Sequence, residues 1–363
     1  MKLKSLLLHN FRSYLHEKIT FHPRINVICG KNAQGKTSLL EAIYLLSTGR
    51  SFRTNNLSEI ISYGEDFFYI KATIEKNDSL EEIKLYYSEK EKKLWINSKC
   101  YFSFSHLLGL LPSSLCAPQD RSIISGTPQE RRRFFNLHLA QSDPLYVHHL
   151  KRFYKSLKQR NFLLKHPQNG SFEIWEEQMA ISGKYLNIKR KEMLKEMKED
   201  LQYFISNLSD EKEKMHVRYI PSFSSNMNNQ DTYIKLLQNM REKEKRLGFT
   251  TIGPHRDDFL CLINKKCART YASEGQKRTA IMALKLAEWK RLCHLINDTA
   301  LILIDDFSLH LDKERKSLMQ NSLQRLGQIF FTTPDPKDEW KKIKDAVIFE
   351  VKNRSITSLA TAL

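Results

Sequence analysis

Short runs of Leu, Ile and Val bounded by polar or turn residues open the chain at Lys2 to Leu8 and recur at Ile25 to Cys29. Runs of that length and composition predict strands. From Ser38 to Leu46 the spacing changes, placing Leu39, Ile43 and Leu46 on one face, which predicts a helix. Alternating segments at Phe68 to Ile74, Ile83 to Tyr87 and Leu94 to Ile96, with the turn signal Lys76-Asn77-Asp78 between the first two, predict antiparallel strands. Near Thr127 the pattern changes again. Glycine becomes scarce, Pro128 stands where a helix can begin, and charged stretches reaching to Arg246 carry apolar residues at three-and-four spacing, so this part predicts helices. Leu194, Met197, Leu201, Phe204 and Leu208 form a heptad stripe that does not extend cleanly upstream, the mark of a packed bundle rather than a free coiled coil.

The polar run Pro221 to Asp231 reads as a loop. Beyond it, strands are expected at Phe259 to Ile263, Ala300 to Asp305 and near Ile329 and Val347, and helices at Gly275 to Asn297 and Lys313 to Leu326. The chain therefore divides into 1–126 and 247–363, which form one α/β domain, and 127–246, a mainly helical lobe. No internal repeat or low-complexity segment interrupts this order.

Composition narrows the class. A hydrophobic fraction of 41% over 363 residues supplies a core for two domains or one large one. The formal net charge of +18 points to an anionic partner, nucleic acid before a membrane surface. The longest apolar runs, such as Leu301 to Ile304, fall far short of the ~18 residues of a membrane span, and Met1 to Phe11 lacks the features of a signal peptide. A cytoplasmic location is expected. The cysteines at 29, 100, 116, 261, 267 and 293 form no CxxC pair and have no His at metal spacing, so reduced, buried thiols are expected.

Gly30-Lys31-Asn32-Ala33-Gln34-Gly35-Lys36-Thr37 matches GxxxxGK[ST] at every fixed position, between an expected strand and an expected helix that continues through Ser38. Its glycines let backbone N–H groups curl around a phosphate at the positive end of the helix, Lys36 reaches the β and γ oxygens, and the Thr37 hydroxyl ligates Mg²⁺. Leu301 to Ile304 followed by Asp305-Asp306 has the form of a buried central strand delivering carboxylates to the edge where α/β sheets hold ligands. Asp305 would hold Mg²⁺ through water and Asp306 would position or polarise the attacking water. Alone, the pair has a strand end followed by an N-cap as its lesser reading; beside the phosphate loop it completes an NTP and Mg²⁺ site.

Ser273-Glu274-Gly275-Gln276-Lys277-Arg278 opens a helix ahead of that acid pair. By itself Ser273 reads as an N-cap with a glycine in the first turn. The order of segments reads otherwise: phosphate loop, then this one, then the acid pair, then Ser308-Leu309-His310-Leu311-Asp312. That succession resembles the ABC-type ATPases, whose signature serine and glycine contact a γ-phosphate held by another subunit. Asn10-Phe11-Arg12-Ser13-Tyr14, Leu39 to Ile43 after the phosphate loop, Arg50-Ser51-Phe52-Arg53-Thr54, Gly126-Thr127-Pro128 with Arg131-Arg132-Arg133-Phe134, and Gly253-Pro254-His255-Arg256-Asp257-Asp258 are together similar to the bacterial RecF family, over nearly the whole chain. The resemblance implies an ABC-type ATPase head, a P-loop fold of mixed sheet with an antiparallel subdomain, carrying a second, mainly helical domain. It implies slow ATP hydrolysis with Mg²⁺, an ATP-dependent homodimer on double-stranded or gapped DNA, and action with RecO and RecR in loading RecA.

Some positions depart from the family pattern. Ala33 stands where the loop usually has a third glycine, a small change unless its φ is positive. Gln119 stands where the family commonly has an acid, which leaves both Gln119 and Asp120 as candidates to face Mg²⁺. Phe330 to Thr333 lacks the switch histidine of transporters, and Asp306 stands where transporters place a glutamate. The alternative reading, an SMC-type chromosome or nuclease-associated head, requires long coiled-coil arms for which the interval between Lys36 and Ser273 leaves no room. For DNA phosphates the candidates are Arg131, Arg132 and Arg133, then Lys151, Arg152, Lys155, Lys158 and Arg160, then Lys189, Arg190 and Lys191, although each run alone reads as a solvated face. No motif for base readout is visible, so recognition by backbone and shape is expected.

Overall fold

The computed structural model describes residues 1–222, 230–306, 326–334 and 345–359. Along the first part of the chain run β1 (Lys2–Phe11), β2 (Tyr14–Thr20), β3 (Ile25–Cys29), α1 (Lys36–Thr48), β4 (Phe67–Lys76), β5 (Ser79–Ser88), β6 (Lys92–Ile96), β7 (Lys99–Tyr101) and β8 (Ser113–Cys116). Then come α2 (Ser122–Ser125), α3 (Pro128–Ser142), α4 (Pro144–Lys165), α5 (Glu173–Glu196), α6 (Lys198–Leu208), β9 (Met215–Ile220), α7 (Gln230–Leu247), β10 (Asp258–Ile263), β11 (Lys266–Cys267) and α8 (Ala268–Tyr271). The last described elements are α9 (Glu274–Ile296), β12 (Leu301–Ile304), β13 (Ile329–Thr333), β14 (Ala346–Lys352) and β15 (Ser355–Leu359).

Two compact units result, one of residues 1–120, 203–212 and 274–363, the other of 121–202 and 213–273. The sequence put the boundaries at 126/127 and 246/247. Segment 247–273 stays with the second unit, where β10 pairs along its whole length with β9, Asp258 opposite Ile220 through Ile263 opposite Met215, whereas 203–212, inside the expected lobe, falls in the first unit. That strand β9 also corrects the expectation of helices throughout 127–246.

The first unit holds two six-stranded sheets. In one, the order β15-β14-β3-β13-β12-β8 is parallel apart from the β15 edge. Its strands β3, β13 and β12 and its edge strand β8 are buried at every position, as parallel strands covered on both faces are. The other sheet is an antiparallel meander, β2-β1-β4-β5-β6-β7, with Leu8, Ile70, Leu85 and Leu94 buried beneath one face. Strand β2 was not foreseen because Tyr14 and Ile19 are its two buried residues.

The heptad stripe is broken where α5 ends at Glu196 and α6 begins at Lys198, so Met197 lies at the junction, and only Leu194, Met197 and Leu201 of the stripe fall in the second unit. The unit is held by arginines that the sequence presents as surface charge. Arg160 is fully buried, donating to Glu176 (3.1 Å), Glu244 (2.5 Å), Thr250 (2.8 Å) and the Leu237 carbonyl (2.8 Å). Arg190, also fully buried, donates to Asp257 (2.7 Å) and the Pro254 carbonyl (2.8 Å). Asp257 further accepts from Tyr219 and the Ser222 amide. The Gly253 to Asp258 motif is thus a structural hub; within it, burial pushes the His255 imidazole down to about 4. Among the cysteines, Cys29, Cys116 and Cys261 are buried as expected, whereas Cys100 is exposed on β7.

Candidate active site

Strands β3, β8, β12 and β13 all end at one edge of the parallel sheet, and that edge carries the chemistry. Leaving β3, residues 30–35 turn into α1 with Gly30 at φ +146° and Gly35 at φ +121°. A Cβ at Gly30 would collide with the Val351 carbonyl, and one at Gly35 would come within 2.9 Å of the Ser13 and Tyr14 oxygens. The strand-loop-helix reading of the phosphate motif is therefore realised. Ala33 has φ +63°, the left-handed region that costs a residue with a Cβ roughly 1–2 kcal/mol, so the departure from glycine carries a backbone cost. Lys36, nearly buried, folds back to donate to the carbonyls of Gly30 (2.6 Å) and Lys31 (3.1 Å). Lys31, Asn32 and Ala33 are exposed, Gln34 accepts from the Asn353 amide (2.9 Å), and Ser38 is buried in α1.

Strand β12 brings the carboxylates to the loop. Asp305 accepts from the Thr37 hydroxyl (3.0 Å) and from the Thr332 hydroxyl of β13 (2.7 Å). Burial raises its carboxyl above the usual range, opposed by those two hydrogen bonds and by the charges of Arg53 and Lys36. Asp306 sits at φ +42°, its amide donating to Thr332 (2.9 Å). Its Oδ1 is buried with no hydrogen-bond partner among the described residues, and burial followed by the charge of Asp305 raises its carboxyl. Two carboxylates and a hydroxyl converging beside a phosphate loop, one oxygen still unsatisfied, are the hard-oxygen set that a Mg²⁺ ion takes.

At the end of β8, Asp120 turns inward: it accepts from the Ala117 amide (2.8 Å) and lies 3.4 Å from Lys285 of α9. Burial raises the Asp120 carboxyl, with Lys285 pulling against it. Gln119 is left exposed, next to the strand that carries Asp305. A cavity of about 810 Å³ opens over the phosphate loop. Its walls include Arg12, Arg53, Tyr63 and Arg354, four residues that the sequence did not single out as site residues. Two of them are set by Glu41 of α1, which is fully buried and pairs with Arg12 (2.6 and 2.9 Å) and Arg53 (3.2 Å). A glutamate between aliphatics on a buried helix face was the available signal.

Ser273 and Gly275 stand at the start of α9, with Ser273 exposed. Gly275 and Gln276 are half-buried and do not line the cavity. Ser308 to Asp312, like the expected helix at Lys313 to Leu326, lies outside the described residues.

The basic candidates separate into two groups. Arg131 is buried in a two-bond pair with Asp258 (2.7 and 2.9 Å), Arg132 donates to the Asp257 carbonyl (2.6 Å), and Arg152 is bonded to Gln178. Arg160 and Arg190 belong to the buried network described above. Arg131, Arg160 and Arg190 are buried in these pairs, whereas Arg132 and Arg152 stay half-exposed beside their bonds. Helix α4 is different. Its 22 residues include no Asp or Glu, and Lys151, Lys155 and Lys158 are exposed on it together with Tyr154 and Phe162.

Comparison with known proteins places these features in a family. The family model of the RecF/RecN/SMC N-terminal domain matches residues 2–354. The DNA replication and repair protein RecF of Protochlamydia amoebophila is 39% identical over 341 residues, 93% of this chain and 95% of its own. That of Geobacillus thermodenitrificans is 32% identical over 99% of this chain and 100% of its own. Among solved structures, the recombination mediator protein RecF–ATP of the RecFOR pathway aligns with a TM-score of 0.90 at 30% identity, over 99% of this chain and 98% of that one. An Smc head from Pyrococcus furiosus aligns at 0.59 and 15% identity, a likeness of fold alone.

Proposed function

Since the chain belongs to the RecF family of DNA replication and repair ATPases, we propose that it closes as an ATP-sandwiched dimer on double-stranded or gapped DNA, and that it works with RecO and RecR to help load RecA. The observation that carries this reading is the hydrogen-bonded assembly of Thr37, Asp305 and Thr332 at the mouth of the phosphate loop, with an exposed Ser273 at the start of another helix.

In this reading the N–H groups of residues 30–37 cradle the phosphates. Lys36 leaves the carbonyls of Gly30 and Lys31 for the β and γ oxygens, and Arg12 and Arg53 line the cavity as further cations. Thr37 and Asp305 would hold Mg²⁺, with Gln119 as an outer oxygen donor; bound there, the ion supplies neutralisation of phosphate charge. Asp306, its carboxylate made more basic by burial and by Asp305, orients the attacking water and accepts its proton. Being one methylene shorter than glutamate, it reaches less directly, which suits slow hydrolysis, on the order of 1 s⁻¹ or below. Ser273 and Gly275 act on the nucleotide of the partner protomer. Hydrolysis then reopens the dimer.

Helix α4 supplies the proposed duplex surface. Three phosphate contacts, at Lys151, Lys155 and Lys158, predict a log–log slope of affinity against salt of about −3. The variant Lys155→Glu, Lys158→Glu should bind every duplex sequence more weakly with ATP present, and its slope should shrink by about 2. Fluorescence anisotropy at several salt concentrations measures both. An unchanged slope removes α4 from the interface, and a slope near zero in the parent protein refutes duplex binding through phosphates.

A further inference from the structure

The antiparallel meander has one face over buried aliphatics and one toward solvent, and the solvent face is ordered into rows. Pairing places His16 of β2, His9 of β1, Tyr69 of β4 and Tyr86 of β5 side by side, with Lys93 of β6 at the end. The next row holds Lys18, Leu7, Lys71, Lys84 and Trp95 across the same five strands. All ten side chains are exposed or half-exposed. Phe67 joins the ring row, stacked on His9 (centroids 5.6 Å apart) and on Tyr86 (5.4 Å).

A row of rings beside a row of lysines is a two-part chemical pattern. Strand spacing makes each row about 19 Å long, and two residues along a strand separate the rows by about 7 Å. Nucleobases stack on aromatic faces whatever their identity, while a parallel line of cations follows the phosphates. Duplex DNA keeps its bases stacked on each other and offers none to such a face. Glu82 is bonded to both Lys71 and Lys84 and Glu91 to Lys93 of the ring row, so the three lysines of the second row stand against one bonded carboxylate.

We propose that the outer face of this meander is a platform for single-stranded DNA, with unpaired bases on the ring row and the backbone along Lys18, Lys71 and Lys84. The platform extends the DNA-binding reading to a second set of residues, suited to the unpaired part of a gap, and rests on that reading. Cross-strand ring pairs also stabilise a sheet without any ligand, and the test must separate the two roles.

Full-length protein is titrated with a twelve-residue oligothymidylate, followed by anisotropy of a dye on the DNA and by tryptophan emission. Trp95 is one of four tryptophans, so binding on this face should quench part of the emission, and Trp95→Phe should abolish that quench. Tyr86→Ala should weaken oligothymidylate binding about tenfold while duplex affinity changes less than twofold. Lys84→Glu should do the same and serves if Tyr86→Ala lowers the thermal midpoint. The Lys155→Glu, Lys158→Glu variant should show the reverse selectivity, so failure of the α4 reading is distinguishable from failure of this one. Wild-type oligothymidylate affinity in folded Tyr86→Ala and Lys84→Glu, or binding without a Trp95 quench, overturns the proposal. Equal losses of single-strand and duplex binding in both variants would overturn it too.

Discussion

Lys36→Ala should lower ATP affinity by about two orders of magnitude or more while leaving the fold intact. The Lys36 ammonium is nearly buried and held by the Gly30 and Lys31 carbonyls, so it is desolvated before nucleotide arrives and exchanges carbonyl oxygens for phosphate oxygens. Truncating one partner of a buried, hydrogen-bonded charge pair costs about 2–5 kcal/mol, and every 1.4 kcal/mol is a factor of ten. The loop itself should survive, because its shape rests on the backbone at Gly30 and Gly35 rather than on the lysine. Titration calorimetry with ATP checks the affinity and circular dichroism the fold. A change of less than threefold would mean that Lys36 does not meet the phosphates.

Arg160→Ala should destabilise the helical unit by about 3–5 kcal/mol. Its guanidinium joins α4 to Glu176 on α5 and Glu244 on α7, all three with no side-chain exposure. Removing the arginine strands a carboxylate in a dry interior, the costly half of breaking a buried ion pair. Arg241 still pairs with Glu176 (2.6 Å), so Glu244 bears most of the loss. The double variant Arg160→Met, Glu244→Gln should recover part of the stability, since it leaves no unpaired charge at that position. Urea unfolding, with hydrogen exchange of the α4, α5 and α7 amides, measures both. A loss below 1 kcal/mol would mean that water reaches the pair.

Those two residues mark how much could be read in advance. Lys36 was legible because phosphate chemistry demands particular residue types at fixed spacing, and the structure places Thr37 and Asp305 in contact although they lie far apart in sequence. The strand of four aliphatics before Asp305 was legible for the same reason, being buried on both faces. Arg160, Arg131 and Arg190 look like any other surface cation in sequence. Their acids come from Glu244, Asp258 and Asp257, and nothing local in the chain announces a pairing across that distance. Strand β9 was hidden for a related reason: its alternation is short, it lies between charged helices, and its pairing strand β10 begins dozens of residues later. At the cavity, Arg12 and Arg53 belong to motifs that were visible, but their common anchor Glu41 is visible only once α1 is packed. Ala33 shows a limit of another kind, since φ at one loop residue is set by closure of the whole turn.

The central claim is that each ATP is shared between two protomers, and the mass of the Ser273→Arg variant in solution tests it most directly. Light scattering with and without ATP and Mg²⁺ should find the parent protein shifting from monomer to dimer. The variant should remain a monomer under both conditions while calorimetry shows ATP affinity within threefold of the parent, because Ser273 acts on the nucleotide of the partner. An ATP-dependent dimer of Ser273→Arg, or a loss of ATP affinity in the isolated monomer as large as the loss of dimer, would contradict the account.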